Sequence, residues 1–77
     1  MFLVYAIKST GHKYIYVGMT SNLQRRFKEH NNGWVKTTRR YGPFKLIFTE
    51  KVASRVKARE REKYLKSGIG KEYLKSL

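Results

Sequence analysis

Five side chains in this sequence have the chemical types that hydrolysis of a phosphodiester requires: Tyr5, Tyr16, Arg26, His30 and Glu62. A phenol can position an attacking water, or accept its proton if a cation lowers the phenol pKa. The planar guanidinium of an arginine matches a phosphate and offsets its charge in the transition state. A histidine can donate to a phosphate oxygen or aid proton transfer, and one carboxylate can hold a divalent cation. The set therefore indicates metal-assisted cleavage of a phosphodiester.

Each of these residues also has a purely structural interpretation. Tyrosines in strands commonly pack with only the hydroxyl reaching a polar group, and a lone histidine on a helix is more often structural than reactive. Arg26 lies among many other cations and could be a solvated surface residue. Glu62 could form an ion pair with Lys66, four residues later on a predicted helix. Helical periodicity alone does not separate Glu62 from Glu60 as the reactive carboxylate.

The charge of the chain points to a polyanionic partner. The formal net charge is +13 at pH 7 over 77 residues, and such a field captures nucleic acid. The segment 34–41 interleaves aromatic side chains with cations, which suits contact with a backbone and stacking of a base. We therefore expect Arg25, Lys36, Arg39 and Arg40 to bind nucleic acid. The alternative for the segment 34–41 is a flexible basic loop, with Trp34 in the core. The alternative partner for the net charge is an anionic membrane surface, but no predicted helix combines a broad apolar face with a basic one.

Acidic and sulfur-containing residues limit the metal chemistry. The sequence has no Asp, five Glu and no Cys. Two-metal nucleases need several convergent carboxylates, so a two-metal site is improbable. The absence of cysteine excludes both a disulfide framework and a thiolate-bound zinc. A site with one metal ion and one protein carboxylate is compatible with this composition.

The two tyrosines fall on two predicted strands that can form a hairpin. Residues 2–9 and 14–20 are rich in β-branched and aromatic residues and are separated by a turn cluster at 10–13. Side chains alternate between the faces of a sheet, so Tyr5 and Tyr16 share a face if Tyr5 pairs opposite Tyr16 or Gly18. A slip of one residue would separate them.

The remaining elements must carry Arg26, His30 and Glu62. A capping-box pattern that begins at Ser21 predicts a helix ending near Asn31, with Arg26 and His30 on one face. A third strand is predicted over 44–48, a second helix over 53–67 and a short last helix over 72–77. We expect one α+β domain over residues 1–77, with a small three-stranded antiparallel sheet flanked by helices in the order β-β-α-β-α-α. The first residues lack the features of a signal peptide, so we expect a soluble, cytoplasmic protein.

The motifs resemble those of the GIY-YIG endonuclease superfamily. Leu3-Val4-Tyr5 stands where the first motif is expected, and Tyr16-Val17-Gly18 stands where the second is. The segment 16–26 resembles the second motif running into the arginine-bearing helix, and Glu29-His30-Asn31 follows as in many members. The segment 61–67 resembles the helix that bears the glutamate, which favours Glu62 over Glu60. The resemblance covers nearly the whole chain and is closest to the compact single-domain bacterial members.

The resemblance implies a role for each candidate residue. Tyr5 would be the general base or its close partner, and Tyr16 would hold the water or a phosphate oxygen. Arg26 would stabilise phosphate charge and His30 would assist. Glu62 would bind a single divalent cation, Mg²⁺ or Mn²⁺.

Leu3 departs from the motif because it replaces the first glycine, and this puts in question the close approach of another group at that position.

The resemblance also leaves open questions about the substrate. The expected substrate is DNA rather than RNA. Target specificity would come from the chain's own surface, from a homo-oligomer or from a second protein. The rival interpretation is a nucleic-acid-binding module that keeps the fold without catalysis.

Overall fold

The computed structural model describes all residues, Met1–Leu77. Its elements follow the predicted order β-β-α-β-α-α, with a 3₁₀ turn at Arg39–Tyr41. The strands and helices are β1 Phe2–Ser9, β2 Ile15–Thr20, α1 Leu23–Asn31, β3 Phe44–Val52, α2 Arg55–Lys66 and α3 Gly68–Lys75.

The sheet has the strand order β2-β1-β3, and both pairings are antiparallel. The α+β class and the three-stranded antiparallel sheet predicted from the sequence are confirmed. β1 is the central strand, and its residues 4–7 are all at most 1% exposed. Both faces of β1 are therefore covered.

Two hydrophobic clusters lie on opposite faces of the sheet. On one face, Val4 and Ala6 pack with Leu65 of α2 and Leu74 of α3. On the other face, a cluster built on Tyr5, Ile7 and Phe44 packs against Leu23 and Phe27 of α1, as the spacing of the last two residues predicts. Full burial of each aliphatic side chain stabilises the fold by roughly 1.5–3 kcal/mol. Helix α1 thus covers the face that carries Tyr5, whereas α2 and α3 cover the reverse face.

Helix α1 begins one residue later than the capping-box pattern predicts. The N-cap is Asn22 rather than Ser21, and its Oδ1 accepts a hydrogen bond from the Arg25 amide at 3.1 Å. The Asn22 amide in turn donates to Thr20 Oγ1 at 3.0 Å. These two bonds connect the end of β2 directly to the start of α1.

Two further boundaries differ from the prediction. Strand β3 extends to Val52 rather than to residue 48, because its second half pairs with the start of β1, where Val52 lies opposite Phe2. Helix α3 begins at Gly68 rather than at Glu72, with Ser67 as its N-cap. A Cβ at Gly70 would overlap the Tyr64 carbonyl oxygen. This glycine therefore permits close packing of α3 on α2 and does not break the helix. None of the helices is long and apolar enough to cross a membrane.

Candidate active site

The register of the hairpin places both tyrosines on the same face of the sheet. Tyr5 lies opposite Gly18, and Ile7 lies opposite Tyr16. The ring centroids of Tyr5 and Tyr16 are 6.2 Å apart. A Cβ at Gly18 would lie 2.7 Å from Tyr5 Oη and 2.9 Å from a ring carbon of Tyr16. Glycine at this position therefore leaves the space that the Tyr5 hydroxyl occupies.

A buried chain of hydrogen bonds connects Tyr5, His30 and Thr38. Tyr5 Oη and His30 Nε2 share a hydrogen bond of 2.7 Å, and His30 Nδ1 and Thr38 Oγ1 share one of 2.8 Å. The three residues are at most 1% exposed. In this arrangement neither ring nitrogen of His30 is free to donate to a phosphate oxygen. Contact between His30 and Tyr5 instead suits the other predicted role, which is to aid proton transfer.

The loop that carries Thr38 is held by a pair of hydrogen bonds at its base. The Phe44 amide donates to Asn31 Oδ1 at 2.6 Å, and Asn31 Nδ2 donates to the Phe44 carbonyl at 3.5 Å. These bonds join the last residue of α1 to the first residue of β3. The intervening loop is thereby closed, with Thr38 against His30. Sequence reasoning assigned no role to Thr38.

Burial and nearby charges set the protonation states of Tyr5 and His30. Burial and, to a smaller extent, the positive charge of Arg26 lower the pKa of His30 to about 4, against the opposing effect of Glu29. Burial raises the pKa of Tyr5 to about 12, although the Arg26 guanidinium works against this rise. Both groups are therefore neutral at pH 7. A neutral imidazole has one donor and one acceptor nitrogen, so it can accept from Tyr5 while donating to Thr38.

An arginine-rich cleft of about 450 Å³ lies between α1 and α2. The α1 side contributes Arg26 and Glu29, and Arg26 Nη1 donates to Glu29 Oε1 at 3.1 Å. The α2 side contributes Glu62, whose side chain is 19% exposed and whose Oε2 lies 3.4 Å from Lys66 Nζ. The ion pair considered as an alternative for Glu62 is thus present, and Glu62 also lines the cleft. Glu60 lies outside it, with its side chain 65% exposed.

The structure divides the five predicted residues between this cleft and the aromatic cluster on the sheet. Arg26 and Glu62 line the cleft, whereas Tyr5 and His30 are buried. Tyr16 is half-buried, and its ring centroid lies 5.0 Å from that of His30. The charge of Arg26 lowers the pKa of the Tyr5 hydroxyl, and the charge of Glu62 raises it. The two groups of residues are therefore coupled, although they do not surround one open pocket.

The cleft fits a divalent cation held by one protein carboxylate. Glu62 and Glu29 are its two acidic residues, but Glu29 is engaged by both Arg25 and Arg26 at 3.8 and 3.1 Å. No group of three potential metal-ligating side chains is present. A hard cation such as Mg²⁺ keeps several water ligands and is commonly bound by one or two carboxylates plus substrate phosphates. The donor set is compatible with that mode of binding.

The predicted nucleic-acid-binding residues lie in two places. Arg25 lines the cleft. Lys36, Arg39 and Arg40 are exposed on the loop between α1 and β3 and do not line it. Trp34 is 69% exposed, so the alternative that placed it in the core is wrong.

Two arginines of the cleft were not predicted as site residues from the sequence. Arg55 and Arg59 of α2 line the cleft together with Glu62, and neither forms an ion pair with a carboxylate. Arg55 and Arg59 precede Glu62 by seven and three residues, and this spacing was the available signal, because side chains so spaced share one helical face.

Comparison with known proteins gives one family match and several relatives. A family model described as the GIY-YIG catalytic domain matches residues 1–73. A UPF0213 protein of Clostridium perfringens is 42% identical over 67 residues, which cover 86% of this chain and 71% of the relative. A UPF0213 protein of Natronomonas pharaonis is 41% identical over 54 residues, 69% of this chain and 64% of the relative.

Another relative and one solved structure extend the comparison. A UPF0213 protein of Photorhabdus laumondii is 38% identical over 53 residues, 68% of this chain and 51% of the relative. The matched region thus spans less than two thirds of the Photorhabdus and Natronomonas proteins. The solution NMR structure of the UPF0213 protein BH0048 from Bacillus halodurans has a TM-score of 0.58 and 35% identity. That match covers 99% of this chain and 84% of the other.

Proposed function

The chain belongs to the GIY-YIG family, and from this membership we propose that it is a metal-dependent endonuclease that hydrolyses phosphodiester bonds in DNA. The family is one of nucleases that generally use divalent metal ions and act on nucleic acid. The observation that carries the proposal is the 2.7 Å hydrogen bond between Tyr5 Oη and His30 Nε2 beside a cleft that contains Arg26 and Glu62. We further propose that residues 1–77 act as a single domain.

Tyr5 is the proposed general base. Because its pKa is about 12, the Tyr5 hydroxyl is protonated at pH 7. A neutral phenol accepts a proton from water poorly unless its own proton leaves at the same time. His30 Nε2, at 2.7 Å from Tyr5 Oη, would receive that proton, while its Nδ1–H would donate to Thr38 Oγ1. Phosphate bound in the cleft would offset the charge of Arg26, one of the causes of the low pKa of His30. Substrate binding would therefore make His30 a better proton acceptor.

Arg26 and Tyr16 are the proposed contacts to the reacting phosphate. The Arg26 guanidinium is partly exposed in the cleft and shares its charge with Glu29 at 3.1 Å. A phosphate would compete with Glu29 for its donors and would be stabilised as negative charge develops. Tyr16, beside Tyr5 on the same face, would hold the water or a phosphate oxygen by its hydroxyl.

Glu62 is the proposed ligand of the divalent cation. When bound, the cation would supply Lewis-acid stabilisation of charge on the phosphate. Lys66 now neutralises the Glu62 carboxylate at 3.4 Å, and this contact would loosen when a cation binds. The half-exposed ammonium can move into solvent because its stem is flexible.

The proposed DNA contacts are the unpaired arginines of the cleft and the cations of the loop before β3. Arg55 and Arg59 face Arg25 across the cleft, so backbone phosphates entering it would meet guanidinium groups from both helices. Lys36, Arg39 and Arg40 would contact the backbone farther from the reacting phosphate. These contacts read charge and shape rather than base sequence.

A direct experiment separates this proposal from simple binding. Purified protein is incubated with linear, branched and single-stranded DNA, with and without Mg²⁺ or Mn²⁺, beside the variants Glu62→Gln and Glu60→Gln. We expect metal-dependent cleavage by the unmodified protein and by Glu60→Gln, and none by Glu62→Gln. Loss of cleavage in Glu60→Gln with retention in Glu62→Gln would contradict the assignment of the carboxylate.

One observation favours a second candidate function, a non-catalytic DNA-binding module. Tyr5 and His30 are at most 1% exposed, so attack on a phosphate requires some opening above them. Metal-independent DNA binding without cleavage of any of the three DNA forms would support this alternative.

A further inference from the structure

A second basic groove lies at the opposite end of the β1–β2 pair from the cleft. It has a volume of about 470 Å³ and lies between the hairpin and α3. Lys8 is on the face of β1 that carries Val4 and Ala6, which pack against α2 and α3. The residues that line the groove are Lys8, Lys13, Tyr14, Ile15, Lys71 and Lys75.

The lysines of this groove have little internal neutralisation. All four are exposed, and the single ion pair among them joins Lys75 Nζ to Glu72 Oε1 at 3.9 Å. The proposed catalytic cleft differs, because it contains two carboxylates among its arginines. The groove is therefore more purely cationic than the cleft.

Lysines of the groove take part in two pairs of like charges. Lys8 lies directly opposite Lys45 across the β1–β3 pairing, and like charges in that position destabilise a sheet. Lys71 and Lys75 are four residues apart on α3, and like charges at that spacing destabilise a helix. Lys75 is offset in part by its ion pair with Glu72 and by its place in the last turn of α3, whereas Lys8 and Lys71 form no ion pair. A bound polyanion would remove both repulsions.

We propose that the groove is a second binding site for the phosphate backbone of a DNA duplex. Lysine ammonium groups act as point charges toward phosphate and carry no base specificity. The principal dimensions of the molecule are 31 × 26 × 18 Å, and the cleft and the groove lie at opposite ends of the β1–β2 pair, near Thr20 and near Ile15. One copy of the chain would thus contact two duplex segments at once. This inference rests on the proposed DNA substrate but not on cleavage.

The distribution of apolar residues on α3 favours DNA over an anionic membrane. Lys71 and Lys75 lie on one side of the buried stripe formed by Gly70 and Leu74. The exposed apolar residue Ile69 lies on the other side, by the helical angles of these positions. A membrane-binding helix presents its cations and apolar side chains to one surface, whereas this helix separates them.

The test is a bridging assay in the Glu62→Gln background, which prevents cleavage. Donor-labelled and acceptor-labelled duplexes are mixed with the protein, and energy transfer between them is measured. The groove variant combines Lys8→Gln, Lys71→Gln and Lys75→Gln. The control variant is matched in charge and context and combines Lys28→Gln, Lys51→Gln and Lys57→Gln. Each variant also removes one ion-paired lysine. In the control variant this is Lys57, whose Nζ lies 3.9 Å from Glu60 Oε1, and in the groove variant it is Lys75, whose Nζ lies 3.9 Å from Glu72 Oε1.

We expect energy transfer with the control variant and its loss with the groove variant, while both still bind a single duplex. In the Glu62→Gln protein without further changes, the amide resonances of Lys8 and Lys71 should shift on titration with duplex. This second measurement does not depend on the folding of the triple variants.

Equal bridging by the two triple variants, or shifts confined to α1 and α2, would overturn the groove proposal and leave the proposed function intact. A groove variant that differs from the control only in binding phosphatidylglycerol vesicles would also overturn it. Absence of any duplex binding by the Glu62→Gln protein would contradict the proposed DNA substrate itself.

Discussion

Gly18 lies directly opposite Tyr5 in the β1–β2 pairing, and the Tyr5 hydroxyl occupies the space that a side chain at position 18 would need. A Gly18→Ala substitution would place its methyl group 2.7 Å from Tyr5 Oη, so we expect the phenol to shift from the position in which it bonds His30. We expect a destabilisation of about 1–3 kcal/mol and a large loss of cleavage. Gly11→Ala is the control, because a Cβ there meets nothing within 4 Å. Equal activity of the two variants would contradict the importance of this contact.

The Thr38 hydroxyl is predicted to act through His30 as a positioning residue. Thr38→Val keeps the volume but leaves one buried ring nitrogen of His30 without a partner. We expect the free energy of unfolding to fall by about 1–3 kcal/mol. The lower limb of the pH profile of cleavage should also shift, because the tautomer of His30 is no longer fixed. Thr37→Val, at an exposed neighbouring position, should change neither, and an unchanged pH profile in Thr38→Val would count against the relay.

The buried imidazole of His30 predicts a specific dependence of stability on pH. Its pKa is lowered from 6.5 to about 4 in the folded protein, so between these values the unfolded chain binds more protons. Stability is therefore full above pH 6.5 and falls as the pH decreases toward 4, by roughly 3 kcal/mol for this group. Urea unfolding across this range measures the effect. His30→Gln should flatten the dependence, and an equally steep loss in that variant would assign it to other groups.

Arg55 and Arg59 of the cleft are predicted to bind substrate rather than to take part in the reaction. Arg59→Gln removes a guanidinium that has no carboxylate partner. We expect a several-fold rise in KM with a smaller change in kcat, because charge-assisted phosphate contacts of this kind act in ground state and transition state alike. Lys57→Gln on the same helix is the control. A fall in kcat without a change in KM would instead place Arg59 at the reacting phosphate.

The sheet and the tyrosine face could be predicted because both depend on local patterns. Alternation of apolar residues defined β1, and the turn cluster at 10–13 limited the hairpin to a few registers. One of the two registers that bring Tyr5 and Tyr16 together is the one observed, with Gly18 opposite Tyr5. The predicted face of α1 is likewise explained by the spacing of Leu23 and Phe27.

The remaining features depend on contacts between segments distant in sequence. Thr38 lies in a loop without periodicity, and its position follows from the bonds between Asn31 and Phe44. The start of α3 at Gly68 rather than at residue 72 could not be predicted, because the close approach of Gly70 to α2 is a tertiary contact. Arg55 belongs to the cleft because residues of α1 and α2 line it together with the start of β1 and the end of β2, an arrangement that helical spacing alone does not establish.

The proposed reaction depends most directly on the hydroxyl of Tyr5, and a single-turnover cleavage assay of Tyr5→Phe tests it. The variant removes the atom that bonds His30 at 2.7 Å and keeps the ring in the core. We predict a decrease of roughly 10²–10⁴-fold in the cleavage rate with little change in DNA affinity, and no change in the control Tyr64→Phe on the exposed side of α2. Cleavage by Tyr5→Phe at the rate of the unmodified protein would contradict the mechanism.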